Sequence, residues 1–85
     1  MENTEKPKTR EEILQMSLDA REQEIMHYQI NIDNYTIALN EIAKMPAQDQ
    51  AELSEFSGQL RTLLASEKLE QKKSKLMLEV LKLQL

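Results

Sequence analysis

The chain has 85 residues, a formal net charge of -4, no cysteine and no tryptophan. That length holds one domain, and the missing thiols exclude disulfides, thiolate metal sites and cysteine nucleophiles. One glycine, two prolines and three aromatic residues, set among many Glu, Gln, Lys, Leu, Ala and Met, describe long helices rather than an aromatic-filled globule.

Residues 1–8 are polar, contain Pro7 and show no periodicity, so a disordered lead-in is expected there. The opening residues lack the apolar centre of a secretory signal. No apolar run approaches the roughly 20 residues of a membrane-spanning helix. A soluble, cytoplasmic protein without membrane contact is the expectation.

The first helix is predicted over about residues 9–44. Thr9-Arg10-Glu11-Glu12 has the capping-box pattern, in which the Thr9 hydroxyl accepts from the Glu12 amide and the Glu12 carboxylate reaches back to the Thr9 amide. Both glutamates also sit at the positive end of the helix dipole. From there one row recurs at alternating steps of four and three: Leu14, Leu18, Arg21, Ile25, Tyr28, Ile32, Tyr35, Leu39 and Ile42. This heptad pattern, broken only by Arg21, predicts coiled-coil-like packing. At ~1.5 Å per residue such a helix is about 54 Å long and needs a partner along its length.

The break is predicted at about residues 45–48. Pro46 lacks an amide hydrogen and pushes Met45 out of the helical region. A second helix is then expected over about residues 49–84, with Asp49 as its N-cap, or alternatively with Pro46 at the first helical position. The short connection makes the two helices antiparallel neighbours. The fold class is therefore all-α: an antiparallel hairpin of two long amphipathic helices.

Leu53, Phe56, Leu60 and Leu63 start the second helix in register, which sets them near Leu39, Tyr35, Ile32 and Tyr28. Carried onward, the same register puts Glu67 and Glu70 opposite Arg21, a candidate charge-assisted pair that would fix the alignment. After Ala65 the apolar stripe is expected to rotate. Leu69, Leu76, Val80 and Leu83 form a new row, and Met26, Ile30 and Ile37 of the first helix lie off its seam. A hairpin alone cannot cover both sets. These seven residues are the candidate oligomer or partner surface, and a twofold dimer closing into a four-helix bundle is the economical way to bury them. Ala38, Ala43, Ala47 and Ala51 would let helices approach closely near the loop.

Candidates for chemistry are few. Glu24 and His27 are spaced as in di-iron carboxylate bundles, but the heptad puts them on the flank and the outside, so a solvated histidine is expected. Lys68, Lys72, Lys73 and Lys75 could meet phosphates. Interspersed Glu67, Glu70 and Glu79 and the lack of stacking aromatics make them an ordinary charged surface, with nucleic-acid binding the rival. Tyr28 and Tyr35 are read as packed rings with hydroxyls at the seam edge. Gly58 is read as admitting close backbone approach or marking a bend with Ser57. No nucleophile–base pair or oxyanion hole can be assembled from these residues. No enzyme activity, metal, cofactor or small-molecule ligand is expected. The expectation is a helical interaction module that self-associates and binds a protein partner as an adaptor, inhibitor or regulatory subunit, with a structural subunit of a larger assembly as a further rival.

Overall fold

A computed structural model describes residues 6–85 of the chain. Of the expected lead-in, residues 1–5 lie outside that range, and residues 6–8 are exposed and without regular secondary structure.

Helix α1 spans Arg10–Ala43. Its start is held by a capping box: the Glu12 amide donates to Thr9 Oγ1 at 3.2 Å, and the Thr9 amide donates to Glu12 Oε1 at 3.4 Å. The helix ends at Lys44, before Pro46 removes the amide needed to continue it. Its terminal carbonyls do not go unpaired. Gln50 Nε2 donates to Ala43 O at 3.2 Å and to Met45 O at 2.8 Å.

The connection contains a helix of its own. Helix α2 is the six-residue Ala47–Glu52, with Pro46 at its N-cap, and α3 runs Ser54–Lys82. Asp49 lies in the first turn of α2 and does not cap it, because the chain enters the helical region directly after Pro46. Leu53 divides α2 from α3, at φ −98° and ψ 9°. The Ser57 amide still bonds to Leu53 O at 2.8 Å across that junction. The long second helix of the sequence is thus a short helix and a long one.

The two long helices pack against each other and run antiparallel. Three sets of side chains along the hairpin show the alignment. Arg10 Nη2 donates to Gln84 Oε1 at 3.1 Å, Arg21 Nη1 to Ser74 Oγ at 3.4 Å, and Gln71 Nε2 to Gln29 Oε1 at 2.9 Å. Arg21 therefore lies about one turn further along α3 than Glu70, and about two turns beyond Glu67. The turns of α2 take up chain that a tight loop would have left to α3.

On α1 all nine positions of the heptad row are shielded, with Leu14, Leu18, Ile32 and Ile42 buried, and Ser17, Glu24, Asn31 and Ala38 are half-buried along its flank. From Leu53 along α3 the inward row is Leu53, Ser57, Leu60, Leu64, Glu67, Gln71, Ser74, Leu78 and Leu81, again at steps of four and three, with Gly58 and Glu70 half-buried beside it. Half of this series is the row extended from Leu53 and Leu60. The other half lies one residue further along than Phe56 and Leu63, which are 47% and 45% exposed. There is no rotation after Ala65. The inward row of α3 keeps one phase to Leu81, and its middle is polar.

Candidate interaction faces

The seam between α1 and α3 is apolar at both ends and hydrogen-bonded in the middle. Ser57, Gln71 and Ser74 are buried polar residues, and a buried polar group costs free energy unless it finds a partner. Gln71 spends its amide on the Ile25 carbonyl at 3.3 Å and on Gln29. Arg21 lies with its stem in the seam, its Nη1 3.3 Å from Glu24 Oε2 in its own helix and 3.4 Å from Ser74 Oγ across it. The expected partners Glu67 and Glu70 are not the ones it meets. Glu70 instead pairs with Lys73 at 3.1 Å. Glu67 has one carboxylate oxygen, Oε2, buried with no hydrogen-bond partner.

Tyr28 stands among these groups. Its hydroxyl donates to Glu24 Oε1 at 3.2 Å. Desolvation in the seam pushes the phenol above its usual value of 10.0, and the charge and hydrogen bond of Glu24 push it the same way, with Glu70 and Glu67 adding to the effect. A neutral, donating hydroxyl is what this position holds. The arrangement fastens the two helices together. Among the described residues no group of three or more His, Cys, Asp and Glu side chains is placed to hold a metal ion. His27 is exposed on the outer flank of α1, beside Glu24 and Tyr28.

The outward faces are more apolar than the seam suggests. On α1, Met16, Ile30 and Ile37 share the row opposite the seam, with Met26 one turn before Ile30; Ile37 is 58% exposed and Met26 65%. Along α3 and its C-cap, Leu69, Leu76 and Leu83 follow each other at intervals of seven, opposite the inward row, with Val80 between the last two. Leu76 is 64% exposed. A helix is rigid and cannot turn two opposite rows inward at once. Burying the Leu69 row against α1 would expel Leu53, Leu60, Leu64, Leu78 and Leu81 from the seam. The leucine row is left outside because the other end of α3 decides the phase of the whole helix.

The lysines divide between faces. Lys68, Lys72 and Lys75 lie together at spacings of four and three, while Lys73 is further round the helix against Glu70. The four ion pairs among the described residues each join side chains three apart in one helix, so none of them links α1 to α3. No helix among the described residues is long and apolar enough to cross a membrane.

The outward leucine row was visible in the sequence as a surplus. The displaced half of the inward row was not, because Ser57 and Gln71 carry no apolar signal. Gln and Ser at heptad spacing, opposite an Arg and a Tyr, was the clue available. Comparison of the chain with protein-family models, with curated proteins and with solved structures returns no match.

Proposed function

We propose that the chain is a small non-enzymatic protein-interaction module, a coiled-coil-like hairpin that self-associates and docks on a partner protein through its outward helix faces. It would serve as an adaptor, an inhibitor or a regulatory subunit. One observation carries this. Among the described residues, fourteen large hydrophobic side chains are exposed against five that are buried. Soluble monomers seldom leave contiguous apolar surface of that kind uncovered, and such patches mark sites of protein contact. Half of the exposed side chains, Met16, Ile30 and Ile37 on one helix and Leu69, Leu76, Val80 and Leu83 along the other, are ordered in rows opposite the seam, as helix-in-groove and coiled-coil recognition requires. Binding through such rows needs no catalytic pocket, and the polar middle of the seam supports register.

The test is sedimentation velocity over a concentration series, with helix content followed by circular dichroism. A dimer is expected, with Leu76→Glu plus Val80→Glu reducing association while helix content stays unchanged. A wild-type monomer at every concentration overturns self-association. Species that keep growing with concentration would favour a structural subunit of a larger assembly.

A further inference from the structure

Building on the self-association just proposed, we infer that the outward leucine row of α3 pairs with the same row of a second copy, antiparallel, about a twofold axis near Ser74 and Lys75. Leu69, Leu76 and Leu83 stand seven apart, and Ser66, Lys73 and Val80 each precede one of them by three. Together they make the three–four alternation of a complete coiled-coil seam on the side of α3 that faces away from α1. All six are exposed, Leu83 by 86%.

Between antiparallel helices, the two kinds of position in such a seam face each other. Full overlap of the row sets Leu76 against Lys73 of the second copy, Leu69 against its Val80, and Leu83 against its Ser66. Each contact then occurs twice, as an isologous interface demands.

The charges select this arrangement. Lys72 and Glu79 flank the row on one side. At full overlap Lys72 lies beside Glu79 of the second copy, and Glu79 beside its Lys72. On the opposite flank Glu70 lies beside Met77, with no like charge facing it. Sliding one heptad in one direction brings Glu79 against Glu79, and in the other brings Lys72 against Lys72. A parallel pair brings Lys73 against Lys73 inside the seam. Like charges in direct opposition count against each of these alternatives.

The intrahelical pairs fit the same picture. Lys73, the one cation within the row, is already neutralised by Glu70 at 3.1 Å. Lys72 forms no ion pair among the described residues. The row is complementary to itself, in one orientation and one register, so the occupant is a second copy. The row of Met16, Met26, Ile30 and Ile37 on α1 remains uncovered in this dimer, free for a different protein.

Charge reversal tests the arrangement. Lys72→Glu and Glu79→Lys are both exposed substitutions on a helix surface, and circular dichroism should show unchanged helix content. Each variant alone should dimerise about tenfold more weakly, since two attractive contacts become repulsive. Mixed in equal amounts they should form a heterodimer of wild-type strength, read by sedimentation velocity and by energy transfer between labelled chains. The doubly reversed Lys72→Glu plus Glu79→Lys chain should dimerise like the wild type. If the wild type dimerises but the mixture associates no better than either variant, the antiparallel α3 pairing is wrong while self-association stands. If the wild type is monomeric throughout, both fall.

Discussion

Leu63 and Leu64 are neighbours in the chain with opposite surroundings. Leu64 is half-buried in the seam, whereas Leu63 is 45% exposed beside it. Truncating a well-packed leucine loses transfer free energy and leaves a cavity, while truncating an exposed one loses little of either. Leu64→Ala should therefore cost about 2 kcal/mol of hairpin stability and Leu63→Ala less than about 1 kcal/mol. Urea unfolding at low protein concentration reads the difference. The reverse order would mean that the inward row of α3 runs through Phe56 and Leu63 after all. The one-residue distinction matters beyond stability, because it decides which side chains α3 presents to solvent.

At the scale of the helix, Gly58 stands out as the only glycine in the chain, placed in α3. A Cβ built at this position meets nothing within 4 Å, so close approach of a bulky neighbour such as Tyr35 is not why glycine stands there. Thr62 Oγ1 donates back to the Gly58 carbonyl at 3.2 Å, a bond that loosens the local helix. With helical backbone and open space, Gly58→Ala should raise stability by about 0.5–1 kcal/mol, through helix propensity and reduced freedom of the unfolded chain. The measurement is a thermal or urea melt, and a loss of stability would show that the added methyl meets a neighbour.

How far the helices could be read from sequence differs between them. All nine inward positions of α1 stand out as a heptad because eight of them are apolar or aromatic, and Arg21 falls in phase. Half of the α3 row follows from Leu53 and Leu60 alone. The other half misleads because the larger apolar choices, Phe56 and Leu63, sit one residue before Ser57 and Leu64. Bulk alone is a poor guide to which of two adjacent positions faces the neighbouring helix. Ser57 beside Leu39 and Ile42, Ser74 beside Arg21 and Gln71 against Ile25 and Gln29 fill the row instead, and hydrophobic periodicity does not register small or hydrogen-bonding residues. The separate helix α2 was also hidden: six residues between Pro46 and Leu53 look the same whether they begin a long helix or form a short one. The outward leucines needed no such information, since a strict interval of seven marks a face wherever it points.

At the largest scale the described residues form a ribbon, 67 × 35 × 16 Å, in which the two long helices make a single layer. Its antiparallel halves are joined at one end only, through α2, and this has a consequence in time. Residues near the connection are close in sequence, so little chain entropy is lost in bringing Ile42 and Leu53 together. Leu14 and Leu81 can meet cheaply only after everything between them has closed. The hairpin should zip from Pro46 outward and reopen from the far end inward. The polar stretch around Arg21, Gln71 and Ser74 is a natural place for opening to pause. Native-state hydrogen exchange should show protection declining from residues 39–42 and 60–64 toward residues 14–18 and 78–81. Uniform protection along both helices would mean that the ribbon opens as a single unit. A second chain that clamps the leucines of α3 would then act as a fastener at the loose end, lengthening the closed lifetime of the hairpin it joins.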